Sequence, residues 1–355
     1  MPNKKNFRVL LFFMKYVTII CIAKSAERMC FYRMTYTKLA VVTGPTASGK
    51  SSLALSLAKH FHGEIVSCDS MQLYKGMDIG TAKPTKEEQT EVKHHMIDVL
   101  DINDSFSVVD YVKAAELCIS NIYSKGKLPF FCGGTGLYVD ALVNSTEFGD
   151  MKNLPEYREE LYAFAEENGS EALHKMLSQT DPEAAEKIDH RNVKRVIRAL
   201  EVYKASGMTI SEWQRRSKLL PPKFDSLVMT IEYEDRQILY DRINKRVDMM
   251  LEAGLIGEVK RLYDEGIFST ATASQAIGYK EFIPYLEGTS SLEDCVERLK
   301  IESRRYAKRQ MTWFRRNDKI KRITADGKSS EEIFEEAKEI CEEFFKPELI
   351  WSVKY

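Results

Sequence analysis

Residues Gly44-Pro45-Thr46-Ala47-Ser48-Gly49-Lys50-Ser51 fill every fixed position of the phosphate-cradling pattern G-x-x-x-x-G-K-[ST]. The chemistry of such a loop is anion capture. Backbone N–H groups and a helix N-terminus point at the ligand, Lys50 adds a point charge, and the Ser51 hydroxyl is a Mg²⁺ ligand. The flanks suit it: Lys38–Thr43 reads as a short buried strand, and Leu53, Leu57 and Phe61 form an apolar stripe of helical spacing. The bland alternative is a glycine-rich turn that binds nothing. Asp69 follows a second expected strand, Glu64–Cys68, which should neighbour the phosphate loop. A carboxylate there ligates Mg²⁺ or accepts a proton, or else caps a turn. Thr135 sits between glycines in Gly133–Tyr138, placed to bond a phosphate or polarise a nucleophile, or to serve as a turn hydroxyl. Arg242 and Arg246 share one helical face, fit to clamp a phosphate from across a cleft or simply to be solvated. His94 and His95 have no carboxylate or cysteine at metal-ligand spacing, which favours a core or turn role.

The elements that must position these residues follow from the pattern. Lys38–Thr43, Glu64–Cys68, His94–Asp98, Lys127–Cys132 and Leu227–Ile231 read as strands, with helices between them and a capping box at Ser107 and Asp110 opening one through about Ser124. Strands alternating with helices predict an α/β fold: a P-loop NTPase-like parallel sheet flanked by helices, with ligands at the carboxyl ends of the strands. From 146 to 222 strand patterns vanish and an inserted all-helical domain is expected. The expected division is an N-terminal extension (1–37), a core in two parts (38–145 and 223–325, the second including basic helices), and a C-terminal helix and tail (326–355).

Composition narrows the class. Over 355 residues, 44% apolar and 30% charged with a net charge of −1, the chain reads as globular and not as a general polyanion binder. The charge is uneven: between Asp294 and Arg322 eleven Lys/Arg face four Asp/Glu. That patch suits a nucleic-acid backbone, and Tyr306, Trp313 and Phe314 interleave aromatics with it. Seven cysteines without a C-x-x-C pair argue against zinc and disulfides and for a reducing compartment. Apolar runs Val9–Met14 and Val17–Ala23 behind Lys4, Lys5 and Arg8 resemble a signal peptide, but Lys15 interrupts a run too short to span a bilayer. Met34 is the expected true start, with 1–33 an upstream extension of the reading frame.

On these residues alone the chain is a P-loop enzyme with an unknown acceptor. Its assembled motifs resemble the bacterial tRNA isopentenyltransferase (tRNA dimethylallyltransferase) family: GPTASGKS at 44–51, DSMQLYKGMDIGTAKP at 69–84, HHMIDV at 94–99, GGTGLY at 133–138, KRVIRALE at 194–201, QAIGYKE at 275–281 and AKRQMTWFR at 307–315. The resemblance covers about 38 to 316, and the absence of a zinc-finger segment after 320 implies the short bacterial form. It implies transfer of a dimethylallyl group from dimethylallyl diphosphate to the exocyclic N6 of adenosine at tRNA position 37, in tRNAs reading codons that start with U. Gly44, Pro45, Thr46, Ala47, Ser48, Gly49, Lys50 and Ser51 would then hold the diphosphate with Mg²⁺ on Ser51, and Arg242 and Arg246 would reach it from the far side. Asp69 would be the general base, with Thr135 beside it. Asp69, Ser70, Met71, Gln72, Thr135, Arg158, Lys194, Arg195, Val196, Ile197, Arg198, Gln275, Ala276, Ile277, Gly278, Tyr279 and Lys280 match tRNA-contacting segments. The family often has Arg and Gln where this chain has Lys280 and Glu281. The implied partners are the anticodon stem-loop and the allylic donor, without a membrane, for a cytoplasmic monomer. Competing readings are an adenylate isopentenyltransferase using free nucleotide, a small-molecule P-loop kinase, and an RNA-binding protein that uses a nucleotide as a switch.

Overall fold

The computed structural model describes residues 37–144, 154–270 and 272–352; the expected extension and the Met34 start lie outside them. The described chain divides into two compact units, one of 37–106, 113–136 and 223–352, the other of 107–112 and the described part of 137–222. In chain order the first unit begins with β1 (Lys38–Thr43), α1 (Lys50–His60), β2 (Glu64–Ser67) and β3 (His94–His95). Helix α2 (Val108–Ser124), β4 (Pro129–Cys132) and α3 (Gly136–Val143) follow, then the helical unit's α4 (Pro155–Asn168), α5 (Ser170–Thr180), α6 (Pro182–Lys187), α7 (Val193–Ser206) and α8 (Ile210–Leu219). The chain then runs through β5 (Asp225–Glu232), α9 (Arg236–Glu252), α10 (Leu255–Asp264), α11 (Leu292–Phe314), β6 (Lys321–Thr324) and α12 (Ser330–Ser352).

The six strands form one parallel sheet in the order β3-β2-β4-β1-β5-β6. β1 is central, with Val41 opposite Phe131 of β4 and Val228 of β5. Its near-continuous apolar run is what a parallel strand covered on both faces requires. The order corrects one expectation: β2 does not neighbour β1, because β4 lies between them. Strand β6 was not legible in Lys321-Arg-Ile-Thr324, where only Ile323 is fully buried; a charged edge strand carries a weak apolar pattern.

The core of this unit gathers Leu53 and Leu57 of α1, Phe61, Phe130 of β4 and Met229 of β5, together with Ala337, Cys341 and Phe345 of α12. Spacing of four puts those last three on one helical face, and Phe345 meets both Phe61 and Phe130. Each large apolar side chain so buried contributes about 1.5–3 kcal/mol. The helix expected after 326 is present as α12 and packs into the core of this unit. The helical unit has its own core of Leu161, Leu173, Leu177, Val196, Ile197 and Leu200. Helices α6, α7 and α8 start on side-chain caps at Asp181, Asn192 and Thr209. It takes in 107–112 and 137–144 beyond the expected 146–222.

Candidate active site

Three turns at the carboxyl ends of strands meet in a cleft of about 220 Å³: the phosphate loop after β1, the Asp69 turn after β2 and the glycine turn after β4. Thr46, Lys50, Ser51, Asp69, Gly133 and Arg246 line it, with Ile243, Val247, Met250 and Leu299 as an apolar wall. The loop is built for an anion. Gly49, at φ 97°, ends it in a left-handed conformation that only glycine adopts without cost, and hands over directly to α1 with no side-chain cap. The first N–H groups of α1 are thus left without a side-chain acceptor at the end where the helix dipole favours negative charge. Ala47 is held at φ 62°, a strained conformation for a residue with a Cβ. The Ser48 hydroxyl is buried with no hydrogen-bond partner among the described residues, as expected of a group that a ligand oxygen satisfies.

Lys50 is buried, and its Nζ donates to the Pro45 carbonyl at 3.1 Å. Burial, and then the Arg246 charge, lower its pKa to about 8. Burial also lowers the pKa of Arg246, against which the Asp69 charge pulls upward. Two cations thus face one carboxylate, an excess of positive charge that suits an anionic ligand. Arg242 behaves differently from its expected role. It does not line the cleft; its Nε donates to the Ala47 carbonyl at 2.9 Å and its guanidinium lies 5.7 Å from the Tyr233 ring centre, bracing the loop from outside. Cys132 also lines the cleft, but burial pushes its thiol up to about 11, so it is no thiolate nucleophile at neutral pH.

Asp69 Oδ1 accepts from Met71 N at 2.9 Å, and the turn is pinned by Ser70 N donating to Thr135 Oγ1 at 3.1 Å. Although β4 separates β2 from β1, Cys68 N donates to the Cys132 carbonyl at 2.7 Å, and a Cβ on Gly133 would collide with the Cys68 backbone. That close approach brings Asp69 to the phosphate loop's cleft. Thr135 itself is outside the cleft wall, one step behind Asp69. Gln72 lines the cleft, but its amide donates to the Thr81 and Ala82 carbonyls at 3.3 and 3.2 Å while its oxygen accepts from Ser67. These bonds brace the 78–84 loop from the cleft wall.

That loop is held by two buried charges. The Lys83 ammonium donates to the Tyr74 carbonyl at 2.8 Å, Asp78 at 2.6 Å and Asp98 at 2.5 Å. Glu258 on α10 accepts from the N–H groups of Asp78, Ile79 and Gly80 at 3.1, 2.9 and 3.0 Å, and from the Tyr279 hydroxyl at 2.8 Å. Tyr279 is therefore a core residue, not a surface RNA contact, and Ala276 is likewise buried. Of the 275–280 segment, Gln275 and Lys280 are exposed, and Gln275, Ala276, Ile277 and Gly278 reach the cleft wall. Glu281 is buried, with Oε2 accepting from Gly278 N at 2.8 Å and Oε1 without a hydrogen-bond partner among the described residues; burial raises its pKa.

In the helical unit, the expected RNA-contacting residues divide by burial. Val196 and Ile197 are core side chains and cannot reach a ligand, whereas Lys194 and Arg195 are exposed. Arg158 and Arg198 converge on the fully buried Glu201: Arg158 Nε and Nη2 at 2.8 Å and Arg198 Nη1 at 2.7 Å. Burial alone would raise the Glu201 pKa, but the hydrogen bonds from both arginines and from Leu154 N hold it low.

Among the cleft residues not expected in the site are two on α11. Tyr306 and Gln310, one turn apart on α11, both line the cleft, and burial raises the pKa of the Tyr306 hydroxyl. Their spacing of four was available in the sequence, but the surrounding Lys and Arg suggested a solvated basic face.

A family model described as IPP transferase matches residues 72–317. The chain belongs to the IPP transferase family. The tRNA dimethylallyltransferase of Caldanaerobacter subterraneus subsp. tengcongensis is 47% identical over 300 residues, 84% of this chain and 95% of that protein. That of Halalkalibacterium halodurans is 50% identical over 278 residues, 78% of this chain and 88% of that protein. Among solved structures, the full-length tRNA isopentenylpyrophosphate transferase of Bacillus halodurans has 42% identity and a TM-score of 0.65, covering 89% of this chain and 99% of its own. A eukaryotic dimethylallyltransferase acting on tRNA has 32% identity and a TM-score of 0.70, covering 82% of this chain and 74% of its own. The prenyl-transferring kinship fits a phosphate cradle that opens beside an apolar wall. No helix among the described residues is long and apolar enough to cross a membrane.

Proposed function

We propose that this chain transfers a dimethylallyl group from dimethylallyl diphosphate to N6 of the adenosine at position 37 of tRNAs reading codons that start with U, releasing diphosphate. One observation carries the reading: in a chain whose relatives are tRNA dimethylallyltransferases, the phosphate loop, Asp69 and an apolar wall line a single cleft. The diphosphate lies against the α1 N-terminus, Lys50, Arg246 and the orphan Ser48 hydroxyl, and the five-carbon tail lies along Val247, Met250 and Leu299. The N6 lone pair attacks C1 of the donor, the C1–O bond breaks with its electron pair leaving on the diphosphate, and the N6 proton passes to Asp69.

Mg²⁺ fits this site as a companion of the donor. No cluster of three His, Cys, Asp or Glu forms a cage among the described residues, and a hard cation that keeps waters and leans on substrate phosphates needs only the Ser51 hydroxyl beside them. When bound it neutralises charge on the departing diphosphate. The acceptor base is flipped out of the anticodon loop, so phosphate contacts elsewhere on the tRNA offset the few kcal/mol of unstacking. The five described cysteines are free thiols, in keeping with a reducing, cytoplasmic setting, and the enzyme acts as a monomer.

The test is incubation of purified protein with labelled dimethylallyl diphosphate, Mg²⁺ and an anticodon stem-loop, followed by nucleoside digestion. N6-dimethylallyl adenosine supports the reading. Label on free AMP and not on RNA points to the adenylate enzyme, and phosphate transfer from ATP without prenyl transfer points to a kinase.

A further inference from the structure

Gln310 lies in the last turns of the charged helix α11, yet it is only 5% exposed. Its Oε1 accepts from Thr46 N at 2.8 Å and its Nε2 donates to the Gly134 carbonyl at 3.0 Å. The two partners dictate the amide's orientation, because an N–H needs an acceptor and a carbonyl needs a donor. One side chain therefore ties the phosphate loop to the glycine turn that carries Thr135. The fit is close: a Cβ on Gly134 would strike Gln310 Nε2, and one on Gly136 would strike the Trp313 ring three residues further along α11. Thr135 in turn accepts from Ser70 N, next to Asp69. A continuous set of hydrogen bonds thus runs from Thr46 through Gln310, the glycine turn and Thr135 to the Asp69 turn. It also takes up the Thr46 N–H, so that this amide is not among those facing an anion.

We propose that Gln310 is a positioning residue, which fixes the phosphate loop against the glycine turn and thereby sets the distance between the departing diphosphate and the Asp69 carboxylate. The inference rests on the prenyl-transfer reading for its kinetic consequence. Its structural part, that the Thr46 amide is held by the Gln310 carboxamide, does not depend on that reading.

Gln310→Glu is the discriminating variant. A protonated glutamic acid offers the same acceptor and donor pair as the amide, whereas the carboxylate loses the donor to Gly134 and adds a charge beside the diphosphate. Burial raises the pKa of such a group, which brings the change into an accessible range. Single-turnover transfer at saturating donor and tRNA is measured for wild type, Gln310→Glu and Gln310→Met between about pH 5 and pH 8. Expressed as a ratio to wild type at each pH, the Gln310→Glu rate should rise roughly tenfold as pH falls, while Gln310→Met stays low and flat. A merely structural residue would give losses without that pH-linked recovery. A Gln310→Met rate within about twofold of wild type, or a Gln310→Glu ratio flat in pH, overturns the proposal. If wild type transfers no prenyl group, the functional reading has failed, and amide exchange of Thr46 decides this one: faster exchange in Gln310→Met sustains it, and unchanged exchange overturns it.

Discussion

At the scale of the residue, the cleft sets a carboxylate and two partly desolvated cations around a space that suits an anion. Asp69 is the sole carboxylate on its wall among the described residues, and an exocyclic amine is too weak a nucleophile to displace diphosphate unaided. Asp69→Asn keeps the shape and the acceptor for Met71 N but removes the base, so turnover should fall about 10²–10⁴-fold with little change in donor affinity. Single-turnover rates with an anticodon stem-loop check it, and a rate within a few-fold of wild type would deny Asp69 the role. Lys50 gives a second expectation, about pH. Its ammonium is disfavoured by burial and by Arg246, with a pKa of about 8 in the free protein. A bound diphosphate favours the ammonium and raises that pKa, so binding above pH 8 takes up a proton. Donor affinity should therefore be level below about pH 8 and decline as pH rises past it. Calorimetric titration in two buffers of different protonation enthalpy reads the proton directly. Affinity that is constant through about pH 9, with no proton uptake, is inconsistent with a desolvated Lys50 meeting the diphosphate.

At the scale of the element, strand–loop–helix order was readable because parallel strands announce themselves as short apolar runs and because glycine loops have fixed spacing. Lys38–Thr43 forms the expected strand to the residue. What could not be read was anything set by contact between distant segments. Asp69 reaches the cleft across an intervening strand, through a backbone approach that Gly133 allows and that no local pattern encodes. Of the 69–84 motif only Asp69–Gln72 were expected to face RNA; further along it Lys83, with Gln72, holds the loop together, and its chief anchor, Glu258, comes from a helix about 180 residues away. Burial likewise divides the 194–198 and 275–280 segments residue by residue, placing Val196 and Tyr279 in cores while Lys194 and Lys280 stay outside. The Glu258 anchor is testable. A glutamine there keeps one acceptor but turns N–H groups toward the N–H groups of 78–80, at a cost of about 2–4 kcal/mol. Glu258→Gln should lower the denaturant midpoint and speed amide exchange at Asp78, Ile79 and Gly80, with a higher KM because this loop lines the cleft. An unchanged midpoint with full protection would show that the loop holds itself.

At the scale of the whole molecule, charge decides how a tRNA is held. With a net charge of −1 the chain has no general attraction for a polyanion, so affinity must come from local cationic faces. Two are exposed: Lys194 and Arg195 at the start of α7 in the helical unit, and Arg305, Lys308, Arg309, Arg315 and Arg316 on and just past α11 in the core unit. They are not equivalent to every arginine in the sequence. Arg158 and Arg198 are committed to the buried Glu201, and removing either would leave a buried carboxylate short of a partner, a fault in stability more than in RNA contact. The exposed pair in the helical unit is the cleaner probe, since neither side chain supports a core. Each phosphate contact contributes about 0.7–0.9 to the slope of log affinity against log salt. Lys194→Ala with Arg195→Ala should therefore weaken tRNA binding at low salt and flatten that slope by about one to two, while leaving the thermal midpoint and the affinity for the small allylic donor as they were. Filter binding across a salt series gives the slope, and calorimetry with the donor alone gives the control. A slope unaltered by the double substitution would mean that this helix does not touch the tRNA backbone, and the phosphate contacts would then have to be sought on the α11 face.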